Sequence, residues 1–450
     1  MATIPPHAAG SVAQEWSTQF IQQLKTEEAA SLHIEQSPPL HGVIPVSGAK
    51  NAVLVSMASL LLADGKSTLT HVPCSADVAQ MIQVLKQLGA VVDFDTDTHT
   101  LHVDTAFVHQ YTIGEDLMKK MRASVLVMGP LLARFGRADV AMPGGCLLGE
   151  RPIDFHLKSF AKMGVSVSYE QEYIRTYAAP LKSARIVLPY PSVGATENIL
   201  MAATLTKGTT HIVNAALEPE VLDLITLLQT MGAAITIESP ATICIDGVAA
   251  LKPVTHQIMA DRLEAGALLL AAAITGGTVT IPNGSWRSMD VFLEALDQMG
   301  HTITCHEPEG ITLVSTREPK AIATIRTSPY PGFPTDLQAP LMAALCLARG
   351  KTVLYETVFE NRLLHVRELE KMGAQITIDG QKATITGVDT LFGANVIATD
   401  IRASFALVLA GMAAQGTTVM SGLNHWRRGY DGMEHKLATL GARISLKTSN

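Results

Sequence analysis

A chain of 450 residues that is 47% hydrophobic, 17% charged and 5% aromatic can bury large cores, and its length divides naturally into two or more domains. Its formal net charge of -7, with no basic run, argues against a nucleic-acid surface built on clustered Lys and Arg. Mean hydropathy is +0.23, yet apolar stretches such as "ALLLAAAI" at 267–274 fall well short of the roughly 18 to 20 residues that a membrane span needs.

The opening "MATIPPHAAGSVAQEW" has no basic region followed by an apolar run, so no secretory signal is expected and a cytoplasmic location is the default. Residues 1–30 read as an extension. Within it, "EWSTQFIQQL" sets Trp16, Phe20 and Leu24 on one helical face, which predicts a short appended helix rather than a binding element.

From there the chain repeats itself. The segments "LKQLGAVVDF", "FAKMGVSVSY", "LQTMGAAITI", "LDQMGHTITC", "LEKMGAQITI" and "LATLGARISL" each join an apolar helix end, a glycine and an alternating strand. Their glycines are Gly89, Gly164, Gly232, Gly300, Gly373 and Gly441. Ahead of each tail lies a second helix, glycine and β-rich run, with Gly65, Gly136, Gly208, Gly277, Gly350 and Gly416 at the stop. Glycine just past a helix is the usual left-handed cap, since it takes positive φ without a Cβ clash. Six copies of an α/β unit, about 70 residues apart, predict two bodies of three units each rather than a solenoid.

Cysteines at 74, 146, 244, 305 and 346 are odd in number, widely spaced and without a CxxC pair, so free thiols are expected rather than disulfides or a zinc site. The histidines show no metal-ligand spacing, and His156 reads as structural. There is no GxxxxGK, HExxH or GxGxxG motif. One segment stands out, "MPGGCLLGERP" at 142–152. Gly144, Gly145, Gly149 and Arg151 around Cys146 suit a loop closing over an anion better than a packed core, although a free cysteine is most often a small buried hydrophobe.

The ordered set "SGAKNA" at 47–52, "MRAS" at 121–124, "PGGCLLGERPID" at 143–154, "SVGAT" at 192–196, "FPTDLQ" at 333–338, "FENR" at 359–362, "ATDIRAS" at 398–404 and "RGY" at 428–430 resembles the UDP-N-acetylglucosamine enolpyruvyl transferase family, from about residue 31 to the end. The resemblance implies an α/β fold of two inside-out α/β barrels, each of three repeated α/β units, with the active site in the cleft between them. One domain would span 50–258 and carry the cysteine lid. The other would combine 31–49 with 259–450. The implied reaction moves the enolpyruvyl group of phosphoenolpyruvate to the sugar 3-hydroxyl of UDP-N-acetylglucosamine, the first committed step towards peptidoglycan precursors. No cofactor or metal is implied, because the substrate supplies the activated enol, and the oligomeric state is not indicated.

By the same resemblance, Cys146 is the acid that protonates the enol, with Arg151 close enough to lower its thiol pKa. Lys50, Arg151 and Arg428 would hold the phosphate, with Lys50 also counted among the catalytic groups. Arg362 and Arg402 would face the carboxylate, where a planar guanidinium can bind two oxygens at once. Asp336 would accept the proton of the sugar hydroxyl; the residues alone also allow it to be a helix N-cap. Arg151, Pro152, Ile153, Asp154 and Phe155 would run along the uridine, with Phe155 against the uracil. Arg122 would meet the ligand's charged part, Ser192, Val193 and Gly194 would bind the nucleotide, and Asn51 and Val358 would contact the sugar.

Four departures from the family pattern accompany these matches. Glu150 lies within the lid, Trp426 and Arg427 precede "RGY", Leu363 and Leu364 follow "FENR", and "DRLEAGA" at 261–267 has alanine where threonine is frequent. They leave open an altered acceptor, either another uridine nucleotide or shikimate 3-phosphate, and a non-catalytic homologue that binds nucleotide sugar.

Overall fold

The computed structural model describes residues 12–26, 30–120, 122–141, 153–170 and 172–447. Among the described residues two compact units emerge, one comprising residues 12–23, 50–141 and 153–259, the other residues 24–26, 30–49 and 260–447. The described strands form six four-stranded sheets, three in each unit.

All six sheets share one pattern: a short strand runs parallel to a longer one, which pairs antiparallel with a third, and the fourth pairs antiparallel with the third. In one of them Thr324–Arg326 lies parallel to Lys351–Tyr355, and the hairpin Gln375–Asp379/Lys382–Thr386 completes the sheet. "KTVLY" alternates exposed and buried positions, and its β-branched residues suit a pleated, half-buried surface. In the last sheet of the chain the third place is taken by Ser31–Glu35, which lies between Thr417–Ser421 and Ile444–Lys447. A segment from the beginning of the chain therefore completes the sixth repeat.

In five of the six repeats the helix that follows the parallel strand is apolar nearly all round, the charged Glu115–Lys120 being the exception. Ile401–Ala413 is buried from Arg402 to Met412, and it packs with Arg262–Thr275 and Gln338–Leu345 in the core of its unit. Helices with no polar face have to be enclosed, whereas the amphipathic ones, such as Ala76–Leu88, can border solvent. The sheets thus lie outside a helical core.

The tail glycines of all six repeats have φ between 88° and 107°. Of the second set, Gly65, Gly136, Gly208, Gly350 and Gly416 also have positive φ, but only Gly136 caps its helix directly, the others lying past helices that end on other residues, and the fourth position is a further correction. Helix Arg262–Thr275 is stopped by Gly276 at φ 78°, one residue before the expected Gly277. Gly277 is needed for a different reason, since a Cβ there would lie 2.0 Å from the Leu40 carbonyl oxygen.

The expected N-terminal helix is Val12–Thr26. Trp16 stacks on Phe20 at 5.2 Å and meets Phe94 edge-on at 4.9 Å, and Gln83 donates to the buried Ser17 hydroxyl at 2.8 Å. Among the described residues, Cys74, Cys244, Cys305 and Cys346 form no disulfide, and no helix is long and apolar enough to cross a membrane.

Candidate active site

In the second unit, three residues from two repeats converge, Asp336 and Arg362 from one and Arg402 from the next. Asp336 lies in the single turn Thr335–Leu337, Arg362 in the turn after Tyr355, and Arg402 in the first turn of Ile401–Ala413. Arg362 Nη2 donates to Asp336 Oδ1 at 2.6 Å, and Arg402 Nη2 donates to Oδ2 at 2.8 Å. The arginine side chains are only 3% and 6% exposed, against 25% for the carboxylate, so two buried cations share one anion that solvent can reach.

The alternative reading of Asp336 as an N-cap is overturned. Helix Gln338–Leu345 starts after Leu337 with no side-chain cap, and the carboxylate turns to the guanidiniums instead. Charge-assisted bonds to two arginines are roughly twice as strong each as a neutral bond.

Arg402 is fixed from several sides. The Asp400 carboxylate accepts from the backbone N–H of Arg402 and Ala403, which caps the helix. Arg402 Nη1 donates to the Tyr430 hydroxyl at 3.3 Å, and Tyr430 packs in a cluster with Phe405 and Trp426. Burial pulls the Arg402 pKa down, but Asp336, Tyr430 and Asp261 outweigh it, and the net shift is upward. Burial pushes the Tyr430 phenol up to about 12 although Arg402 opposes this. Arg402 is therefore a permanent cation and Tyr430 a neutral phenol at neutral pH.

Sequence reasoning missed Glu356, which is 1% exposed. One carboxylate oxygen accepts from the backbone N–H of Val358 and Phe359 and from the Thr327 hydroxyl; the other accepts from the Thr335 hydroxyl at 2.9 Å. Glu356 thereby ties the Val358 turn to the turn that carries Asp336. Its neighbours in sequence offered no motif, because two of its four partners, Thr327 and Thr335, reach it only through folding.

Arg428 lies on Leu423–Gly429, whose unusual Trp426 and Arg427 now have a partner. Glu434 accepts from the Trp426 indole at 2.9 Å and forms an ion pair with Arg427. Burial raises the Glu434 pKa, but Arg427 and the indole bond hold it below the ordinary value. Both substitutions are thus paid for locally, and Arg428 stays on a well-anchored helix.

In the first unit, Lys50 begins Lys50–Ser59 and its Nζ is 3.5 Å from Asp77, while Asn51 is exposed. Ser192 caps Val193–Ala203 by accepting from Ala195 N, which leaves Val193 and Gly194 in that helix's first turn. Ile153 is buried, and Asp154 and Phe155 are half-buried at the start of Asp154–Lys162. Arg122 begins the 3-10 segment Arg122–Val127. His156 is buried and hydrogen-bonded to Asn198, in keeping with a structural role. Cys146, Glu150, Arg151 and Pro152 lie outside the described residues.

The model of the EPSP synthase (3-phosphoshikimate 1-carboxyvinyltransferase) family matches residues 34–437. The UDP-N-acetylglucosamine 1-carboxyvinyltransferase 1 of Caldanaerobacter subterraneus subsp. tengcongensis is 47% identical over 414 residues, covering 92% of this chain and 99% of that one. The Geobacter metallireducens UDP-N-acetylglucosamine 1-carboxyvinyltransferase is 47% identical over 413 residues, covering 92% and 98%. This chain belongs to the UDP-N-acetylglucosamine 1-carboxyvinyltransferase family. Among solved structures, the enolpyruvyl transferase NikO from Streptomyces tendae aligns with a TM-score of 0.85 at 24% identity, covering 94% of this chain and 99% of that one. EPSP synthase from Acinetobacter baumannii aligns at 0.74 and 19% identity, covering 93% and 100%. These two likenesses show that the chain has the same α/β fold as both of those structures.

Proposed function

We propose that this enzyme transfers the enolpyruvyl group of phosphoenolpyruvate to the 3-hydroxyl of UDP-N-acetylglucosamine and releases phosphate, as a step of peptidoglycan precursor synthesis. The observation that carries the reading is the 47% identity to 1-carboxyvinyltransferases named for this acceptor, along nearly their whole length. We also read each unit as an inside-out α/β barrel, on the strength of three sheets outside a helical core.

The Asp336 cluster suggests how substrate readies the base. As the cluster stands, each carboxylate oxygen accepts from an arginine, so part of its accepting capacity is taken by the guanidiniums. The carboxylate of phosphoenolpyruvate, offered to Arg362 and Arg402, competes for the same N–H groups. Asp336 then gives up one or both contacts and is left facing the sugar hydroxyl as general base. The hydroxyl oxygen adds to the enol carbon while Cys146 protonates the methylene. Loss of phosphate, with a proton taken from the newly formed methyl group, then restores the vinyl group. Lys50, Arg151 and Arg428 neutralise the phosphate; Asn51, Arg122, residues 152–155, Ser192, Val193, Gly194 and Val358 hold the nucleotide sugar.

Phosphate release measured with UDP-N-acetylglucosamine, other uridine nucleotides and shikimate 3-phosphate, for the natural chain and Cys146→Ala, tests this. Release confined to UDP-N-acetylglucosamine and crippled in the variant supports the reading. Release with a different acceptor reassigns the substrate, and binding without release makes the chain a non-catalytic homologue.

A further inference from the structure

The three segments assigned to the nucleotide meet at one buried side chain. Asn198 is fully buried on Val193–Ala203. Its Oδ1 accepts from the backbone N–H of Gly129 at 2.7 Å; its Nδ2 donates to the Val125 carbonyl at 3.0 Å and to His156 Nδ1 at 2.9 Å. Val125 belongs to the 3-10 segment that begins at Arg122, and His156 follows Ile153, Asp154 and Phe155. The far edge of the His156 ring lies against Gly194, where a Cβ would be 3.4 Å from Cε1 and 3.6 Å from Nε2.

These contacts determine hydrogen positions. A backbone N–H can only donate, so the atom facing Gly129 is the carboxamide oxygen; a carbonyl can only accept, so the atom facing Val125 is the nitrogen. The second hydrogen of Nδ2 points at His156 Nδ1, which must therefore carry a lone pair. The imidazole is neutral with its proton on Nε2, and protonating Nδ1 would set two donors against each other.

We propose that Asn198 is a positioning residue for the nucleotide half of the site. A single carboxamide registers the segments bearing Arg122, residues 153–155 and Ser192–Gly194 against one another, and it holds His156 in the Nε2-protonated tautomer at the edge of Gly194. The inference rests on the nucleotide reading given above. Gly129 is part of the same device, since a Cβ there would lie 2.3 Å from the Asn198 carbonyl oxygen and 2.7 Å from Oδ1.

The test is calorimetric binding of uridine diphosphate to the full chain and to Asn198→Ala and Asn198→Asp, with the KM of each substrate and the imidazole nitrogen NMR signals in mildly alkaline buffer. His156→Asn identifies the ring's signals. For Asn198→Ala the expected loss of uridine diphosphate affinity is on the order of tenfold, the scale of one lost buried hydrogen-bonded contact, with the KM for phosphoenolpyruvate changed by no more than about twofold. Asn198→Asp keeps the shape but presents an acceptor to Nδ1, so the His156 proton moves to Nδ1 and affinity falls as well. A general loss of fold moves both KM values together and leaves no tautomer signature. Should Asn198→Ala fail to fold, the isosteric Asn198→Asp carries both readouts. Should that also fail, His156→Asn, whose carboxamide oxygen can accept from Asn198, is expected to weaken uridine diphosphate alone. Unchanged affinity in the folded variants, or a natural-chain His156 signal with the proton on Nδ1, overturns the inference. No uridine diphosphate binding by the natural chain overturns the nucleotide reading itself.

Discussion

Asp336 offers one carboxylate oxygen to Arg362 and the other to Arg402, so a single solvent-accessible anion is gripped by two buried cations. This pairing makes the base and the substrate's carboxylate competitors for the same donors. Asp336→Asn retains one oxygen but replaces the other with an NH2 group that repels a guanidinium. We expect phosphate release to fall by about 10² to 10⁴, the range for removing a general base. A rate within a few fold of the natural chain, measured at saturating substrates, contradicts the base assignment.

Arg402→Lys keeps the charge and loses the planar fork that serves both Asp336 and Tyr430. The KM for phosphoenolpyruvate should rise by about tenfold or more, on the scale of a charged hydrogen bond of 1.5–3 kcal/mol. The KM for the nucleotide sugar should change much less. Steady-state kinetics with each substrate varied in turn separates the two.

Glu434→Ala strands the Trp426 indole and the Arg427 guanidinium together. Destabilisation of about 3 kcal/mol is expected, as for breaking a largely buried pair from one side. Urea unfolding followed by Trp fluorescence reads this out. Arg427→Ala in the same protein should recover part of the loss.

Ser47, just before the chain enters the first unit, donates its backbone N–H to Glu264 at 3.3 Å and accepts from Lys436 Nζ at 2.7 Å through its hydroxyl. Glu264 also forms an ion pair with Lys436, yet burial raises its pKa to about 7 from an ordinary value of 4.5. A folded-state pKa above the unfolded one means the native protein binds the extra proton between those values. The contribution of Glu264 is therefore favourable at low pH and is lost as pH rises from about 4.5 through about 7. Comparing urea stability across that range, Glu264→Gln should flatten the slope, by at most about 3 kcal/mol over the window. An unchanged slope shows that the pair stays ionised throughout.

Trp16→Ala tests the N-terminal helix. Removing a ring that packs on both Phe20 and Phe94 should cost about 2 kcal/mol, below the 3–5 kcal/mol of a fully buried tryptophan, because Trp16 is only half-buried. Phosphate release should be unaffected. Thermal unfolding alongside the activity assay checks both halves of this expectation.

Much of this molecule is written in local signals. Helix stops need only a glycine at the right place, and all six tail glycines take the left-handed conformation that their position after an apolar helix predicts. Enclosed helices announce themselves by having no polar face, and "ATDIRAS" holds both the Asp400 cap and Arg402 within a few residues. Even here locality has a limit: between Gly276 and Gly277, composition does not say which one turns and which one is pressed against Leu40.

Partner choice across long separations is another matter. Asp336 as a cap or as an arginine acceptor is undecidable from its own neighbours, since Arg362 and Arg402 lie 26 and 66 positions away. Asn198 finds His156 from 42 positions off, and Thr335 finds Glu356 from 21. Hydrogen bonds and ion pairs depend on distances of a few tenths of an ångström and on direction, and those are set only when the repeats pack and remove water from around the charges. Residue type and order therefore sufficed to list the chemistry-bearing groups, whereas the packed core decided which of them hold one another in place.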